Sequence, residues 1–134
     1  MTQFIDKILE GIETGSLLPA SYYATLDVEL ALNARDNHPT FGIEWSNLFK
    51  IIENAWECSV QPEPTKTKLY NIQKSSFLLV SKATSQSELA SYVSDDLNLI
   101  TKASILGVSH HFLESLWNSY ESGKFPYPKN LQIT

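Results

Sequence analysis

The stretch ASILGVSHHFLESLWN, residues 103–118, decides how the second half of the chain folds. Ala103 ends one apolar helical pattern, and Leu113 and Leu116 belong to the next. Between them, Gly107 suits the positive φ that ends many helices, and Ser109 suits the N-cap of a following helix. The stretch therefore predicts two helices joined at a tight corner.

The same residues resemble the helix-turn-helix pattern of bacterial repressors, over roughly residues 99–126. A small residue, Ala103, lets the two helices approach, and a turn glycine, Gly107, follows four positions later. Leu113 and Leu116 anchor the second helix. The resemblance implies that this second helix would present three polar side chains to DNA: His110, His111 and Asn118.

The charge of that second helix argues against DNA binding. Its exposed positions carry no basic side chain, and Glu114 adds a negative charge. Affinity for duplex DNA comes largely from lysine and arginine contacts with phosphate, and the chain has one arginine, Arg35. We therefore expect a structural corner. A weak DNA-binding regulator that uses residues 99–126 is the alternative.

Composition indicates a globular intracellular protein. The 134 residues are 43% hydrophobic, enough to bury a core without metals or disulfides. Cys58 is the single cysteine, which fits a reducing compartment. The opening MTQFIDKILEG, residues 1–11, lacks the apolar core of a signal peptide, and the longest apolar run, FLLV, is too short to cross a membrane. We predict a cytoplasmic protein with no membrane partner.

Apolar residues at helical spacing predict an all-α fold of about six helices in a single antiparallel bundle-like array. Residues 76–81 alone are ambiguous, since SFLLVS fits either a helix or a short strand. The predicted helices span residues 5–14, 19–35, 45–56, 66–83, 85–103 and 110–122. Ser85 and Glu88 have the spacing of a capping box at the start of the fifth helix.

Two prolines, Pro62 and Pro64, divide the chain into halves of different charge. Residues 1–60 hold nine acids and three bases, a net charge of −6, whereas residues 61–134 hold six acids and seven lysines, a net charge of +1. We expect one domain, 1–134, with a linker at 61–65, because each half alone offers three helices and a thin core. An acidic half repels nucleic acid and attracts basic proteins.

Asp96 is the most unusual position in the predicted helices. A rotation of about 100° per residue places it between Leu89, Val93 and Ile100, in the middle of an apolar face. A buried carboxylate needs a partner. Arg35 is the preferred candidate, and a lysine, a helix N-terminus or backbone amides are the alternatives. We favour a structural pair over a catalytic acid because no nucleophile lies near it in sequence.

No motif in the sequence predicts a cofactor, a metal or an enzyme. His110 and Glu114 are four residues apart, and Asp95 or Asp96 could approach them across the corner. Mixed ligands at an exposed helix start are weak indications of a metal site. The chain has no glycine-rich phosphate loop and no paired-carboxylate motif. We therefore predict a protein that is not an enzyme and has no cofactor.

The remaining interpretation is a protein-interaction domain. We predict an immunity- or antitoxin-type factor whose acidic half covers the basic face of a nuclease-like toxin, because complementary charge speeds association and excludes wrong partners. A structural subunit that acts through oligomerisation is a third hypothesis. The predicted contact residues are four acids of the first half: Glu29, Asp36, Glu44 and Glu53.

Overall fold

Seven helices occur in residues 3–128, the part of the chain that the computed structural model describes. They are α1 (Gln3–Thr14), α2 (Ala20–Thr25), α3 (Val28–Asn37), α4 (Phe41–Glu57), α5 (Glu63–Thr84), α6 (Ser87–Leu106) and α7 (His111–Glu121). No strand occurs in that range, which confirms the all-α class. The ambiguous residues 76–81 are helical and belong to α5.

The central helix is α6. Every residue from 96 to 103 on this helix is buried, so other elements cover α6 on all sides at that level. α5 is its neighbour along most of its length, and the two-residue connection Ser85–Gln86 makes the pair antiparallel. α1 and α2 pack against α5, α4 and α7 pack against α6, and α3 packs against α4.

Both halves of the chain contribute to one hydrophobic core. Ile8 and Ile52 from the first half, and Leu97 and Leu116 from the second, have no exposed surface and belong to the same buried cluster. The extended connection between the halves ends at Pro62, because α5 begins at Glu63 and its first turn contains Pro64. Residues 63–65 of the predicted linker are therefore helical. Proline is well tolerated there because the first turn of a helix needs no N–H donor.

The predicted second helix, residues 19–35, is two helices rather than one. Leu26 and Asp27 adopt extended conformations, and the Asp27 side chain accepts the Leu30 N–H as the N-cap of α3. This break changes which residues point inward, so Leu32 and Arg35 are buried while Leu30 is 47% exposed. Because of this break, residues 3–128 contain seven helices and not the predicted six or so.

Helix ends were predicted less well than helix centres. Ser85 adopts a left-handed conformation at the end of α5, with φ of 58°, and Gln86 precedes α6, so the predicted capping box is wrong. At the start of α7 the N-cap is His110 and not Ser109, and the His110 ring accepts the Phe112 N–H. Side chains other than the preferred capping residues can thus fill these positions.

Gly107 forms the predicted corner between α6 and α7. Its φ is 75°, and the Val108 and Gly107 amides donate to the carbonyls of Ala103 and Ser104. This is the Schellman pattern, in which a left-handed glycine ends a helix and its last carbonyls are satisfied. The residues between Gly107 and His111 then redirect the chain so that α7 packs back on α6.

The Asp27 cap is expected to matter for stability. Only Leu26 and Asp27 separate α2 from α3, so the start of α3 depends on the Asp27 side chain as its N-cap. Asp27→Ala should lower the free energy of unfolding by about 1 kcal/mol, the usual effect of losing an N-cap acceptor. Urea denaturation measures this difference. Glu13→Ala, at an exposed position of α1, is the control and should stay within about 0.5 kcal/mol of the native chain; equal losses in both variants would contradict the capping role.

Candidate functional site

Asp96 accepts four hydrogen bonds in the interior of the protein. The Arg35 guanidinium provides two of them, from Nη1 to Oδ2 at 2.7 Å and from Nη2 to Oδ1 at 3.0 Å. The Trp45 indole donates to Oδ1 at 2.9 Å, and the Tyr120 hydroxyl donates to Oδ2 at 2.6 Å. Asp96 has no exposed surface and Arg35 is 6% exposed. The sequence-predicted pair is therefore brought together as a bidentate ion pair, the strongest geometry for these groups.

Aromatic rings surround the Arg35 guanidinium. Its central carbon lies 4.6 Å from the centre of the Phe41 ring, 5.1 Å from that of Tyr92 and 5.2 Å from that of Phe125. Gly123, with φ of 79°, lets the chain after α7 turn and bury Phe125 there. These cation–π contacts offset part of the cost of removing the guanidinium from water.

The pair changes the acid–base properties of its neighbours. Burial lowers the pKa of Arg35, but the charge and hydrogen bonds of Asp96 outweigh burial and leave that pKa above its ordinary value. Burial and the Asp96 charge raise the pKa of Tyr120 well above 10. Arg35 thus stays charged and Tyr120 stays protonated, so every hydrogen in this network is kept in place at neutral pH.

A pocket of about 320 Å³ opens beside the ion pair, between α3, α4 and α6. Arg35 and Asp96 are the buried charged residues of its lining, and Asp36 and Asp95 are its exposed acids. Its volume is at the small end of the range of about 300–1,000 Å³ for ligand sites, so it fits a single side chain better than a cofactor.

Asp36 and Asp95 differ in their surroundings. Asp36 accepts a hydrogen bond of 2.7 Å from the Tyr92 hydroxyl, and burial together with this bond raises the pKa of Tyr92 to about 12. Asp95 takes part in none of the hydrogen bonds or ion pairs among the described residues. Burial and the neighbouring Asp96 charge raise the pKa of Asp95. The pocket thus carries two carboxylates without a counter-ion, and Asp95 also has no hydrogen-bond donor among the described residues.

The four acids predicted as partner contacts are not equivalent in the structure. Glu29 and Asp36 are exposed on α3. Glu53 forms an ion pair of 2.7 Å with Lys102, whose Nζ also lies 5.2 Å from the centre of the Trp56 ring. Glu44 is partly buried, and its Oε2 has no hydrogen-bond partner among the described residues. Glu29 therefore faces the solvent freely, Asp36 is exposed but accepts the Tyr92 hydroxyl, and Glu44 and Glu53 face the protein.

Glu44 lies next to the two histidines at the start of α7. One ligand atom from each of Glu44, His110 and His111 lies within 4.8 Å of the other two, and the histidine rings stack with centres 4.5 Å apart. His110 Nδ1 accepts the Phe112 N–H, so the neutral ring carries its proton on Nε2. That nitrogen is a donor and not a metal ligand. The arrangement that the sequence analysis considered, His110 and Glu114 with Asp95 or Asp96, does not form a metal-ligand cluster among the described residues.

The same position of Glu44 bears on the DNA alternative. His111 and Asn118 are exposed on α7, but His110 is used in capping and all the charge added nearby is negative. Glu44 and Glu114 would face the phosphates that a reading helix approaches. The cationic side chains of residues 99–126 are Lys102, which is paired with Glu53, and Lys124, which follows α7. The helix α7 itself offers a duplex no lysine or arginine.

Comparison with protein families identifies the chain. A family model described as Immunity protein PIM1 matches residues 7–127, which is most of the 134 residues. The chain belongs to the immunity protein PIM1 family. No curated protein matched the sequence.

Membership in the PIM1 family makes this an immunity-type helical protein and implies that it binds another protein. The matched range contains α3, the Arg35–Asp96 pair and the whole lining of the pocket. None of the helices within residues 3–128 is long and apolar enough to cross a membrane.

Sequence analysis missed three side chains of this site. It did not single out Trp45 or Tyr120, and it considered Asp95 only as a possible metal ligand. A signal existed for the first two, because a buried indole or phenol needs a hydrogen-bond partner, and Asp96 was the one acid predicted to be buried. No signal in the sequence marks Asp95, since its lack of a counter-ion depends on packing.

Removal of the Asp96 carboxylate should destabilise the protein severely. Asp96→Ala is expected to lower the free energy of unfolding by about 3–5 kcal/mol, because Arg35 would remain buried without a counter-ion. Asp95 is one residue away and outside the hydrogen-bonded network. Asp95→Ala should therefore change the free energy of unfolding by less than about 0.5 kcal/mol or raise it. Urea denaturation of both variants makes the comparison, and equal midpoints would contradict the central role of Asp96.

Asp95 should make stability depend on pH in a defined direction. Its pKa in the folded chain is raised above the ordinary 3.8, so the folded state holds this proton to higher pH than the unfolded state. Stability is therefore lost as pH rises from 3.8 through the folded pKa. Asp95→Asn removes this loss, so the variant should melt higher than the native chain at pH 7, with the difference vanishing below pH 3.8.

Melting curves of the native chain and of Asp95→Asn across this pH range measure the effect. Glu13→Gln removes one negative charge from an exposed position of α1 and controls for the change in net charge. A difference between Asp95→Asn and the native chain that persists unchanged at low pH would contradict the assignment.

Proposed function

We propose that this PIM1-family protein neutralises a toxin by binding it, without chemistry, through the acidic face of α3. This α3 face consists of exposed residues on one side of the helix, together with its N-cap: Asp27, Glu29, Leu30, Asn33 and Asp36. Glu29 and Asp36 are seven residues apart, so they lie two turns apart on the same side.

The observation that carries this proposal is the free charge of the α3 face. Elsewhere in the acidic half, Asp6 pairs with Lys68 at 2.8 Å and Glu53 pairs with Lys102. Glu13 and Glu57 are exposed and have no ion pair among the described residues, but they do not line the depression that contains Leu30. Glu29 and Asp36 form no ion pair with a lysine, an arginine or a histidine among residues 3–128. Their charge is therefore available to a partner.

An apolar contact lies within the α3 face. Leu30 is 47% exposed and lines a shallow depression together with Glu29 and Asn33. Interfaces of this kind combine a desolvated apolar centre with a charged rim, in which the rim steers the partner and the centre holds it. A basic toxin, such as a nuclease whose cationic face binds nucleic acid, has the complementary surface.

Neutralising the α3 face tests the proposal. The double variant Glu29→Gln, Asp36→Asn should associate with the cognate toxin several-fold more slowly and should show a weaker salt dependence, because rim charges act mainly on the association rate. Asp36→Asn keeps an acceptor for the Tyr92 hydroxyl, so the fold is spared. Stopped-flow binding and rescue of growth during co-production with the toxin are the two measurements.

The matched control is Glu13→Gln, Glu57→Gln, which removes the same charge from exposed positions outside the α3 face. It should retain the native association rate. If both double variants slow association equally, net charge and not the α3 face is responsible. If neither does, the proposed surface is wrong.

A further inference from the structure

The pocket beside the Arg35–Asp96 pair has a net negative charge. Its lining contains one guanidinium, Arg35, and three carboxylates, Asp36, Asp95 and Asp96, a net of −2. The bidentate pair cancels two of these charges. The carboxylates that remain are the two at the exposed part of the lining, Asp36 and Asp95. A cation that enters the pocket therefore meets two acids and no uncompensated positive charge.

Asp95 in particular has no positively charged partner. It has no hydrogen-bond or ion-pair partner among the described residues. Partial desolvation and the neighbouring Asp96 charge raise the pKa of this exposed residue. Ionised Asp95 is thus less stable in the protein than it is in water. A positive group at hydrogen-bond distance would reverse that effect.

The walls of the pocket are aromatic. Phe41, Trp45 and Tyr92 line it, and two of these rings already lie against the guanidinium of Arg35, at 4.6 Å for Phe41 and 5.1 Å for Tyr92. Planar guanidinium groups stack on aromatic faces and are only weakly hydrated, whereas an ammonium is compact and strongly hydrated. The walls therefore favour arginine over lysine.

The Arg35 Nε–H is not one of the groups that the pocket presents to a ligand. This atom is buried, and it has no acceptor among the described residues. The groups that a ligand can reach are the Asp36 and Asp95 carboxylates at the exposed part of the lining and the aromatic walls.

We propose that this pocket receives an arginine side chain of the toxin, with the guanidinium paired with Asp95 and Asp36 and stacked on the aromatic walls. The inference rests on the proposed immunity function and adds the residue type that is recognised. The volume of about 320 Å³ suits one long side chain. The α3 face and the pocket share Asp36, so one contact surface covers both.

Matched peptides test the preference for guanidinium. Short oligoarginine and oligolysine peptides of equal length have equal charge, so general attraction to an acidic protein is the same for both. At about 0.15 M salt, oligoarginine should bind the native full-length chain on the order of fivefold more tightly than oligolysine. In NMR titrations it should shift the Trp45 indole N–H and the Gly42 and Ser46 amides, which line the pocket.

Two variants should abolish arginine binding by different means. Gly42→Phe should fold, since a Cβ at Gly42 has no atom within 4 Å, and its ring should block the pocket because Gly42 is part of the lining. Asp95→Asn removes the free carboxylate. Both should abolish the preference for arginine, whereas Glu13→Gln should keep it. Thermal melting and circular dichroism establish that each variant is folded before it is compared.

Equal binding of the two peptides, no binding of either, or an arginine preference that survives in Gly42→Phe would each overturn the pocket assignment. The proposed function is tested separately by Glu29→Gln alone, since Glu29 belongs to the α3 face and does not line the pocket. If Gly42→Phe still binds and neutralises the toxin as the native chain does, the immunity function stands and the arginine site is wrong. If the pocket shows its arginine preference but Glu29→Gln leaves toxin association unchanged, the α3 face is the part that fails.

Discussion

The buried Asp96 carboxylate constrains how the neighbouring helices pack. A fully buried carboxylate is tolerated only when its lone pairs are satisfied, because the desolvation penalty of an unpaired charge is several kcal/mol. Here the donors come from α3, α4 and α7, and the acceptor is on α6. Four helices must therefore be positioned correctly relative to one another for a single side chain to be stable. A network of this type specifies one arrangement of the helices more strongly than apolar contacts do, since apolar contacts tolerate sliding.

The same interaction shapes the surface next to it. Because Arg35 is committed to Asp96, it leaves the neighbouring acids Asp36 and Asp95 without a counter-ion. Because Trp45 and Tyr92 are held by hydrogen bonds to Asp96 and Asp36, their rings form fixed walls to the pocket. A pre-formed charged pocket loses little entropy when a partner binds, which favours affinity. The interior pair and the proposed contact surface are thus one continuous structure.

The acidic half of the chain uses its carboxylates in three ways. Some pair with lysines of the second half, as Asp6 and Glu53 do. Asp27 caps a helix, and Asp36 orients Tyr92. Glu29 is exposed with no cationic partner among the described residues. The net charge counted from the sequence is therefore larger than the charge available to a binding partner. The position of each acid in the structure decides its role.

The sequence by itself determined the all-α class, most helix centres, the glycine corner at residue 107 and the burial of Asp96. These features follow from periodicity and from the conformational freedom of glycine, which are local properties of the chain. It favoured Arg35 as the partner of Asp96 but left a lysine, a helix N-terminus and backbone amides as alternatives, because the pairing spans 61 residues. The tertiary structure alone decided the break between α2 and α3, the capping role of His110, the pairing of Glu53 with Lys102 and the isolation of Asp95. Each of these features depends on which side chains come within a few ångströms of one another when distant helices pack. The spacing of residues along a single helix does not determine those contacts.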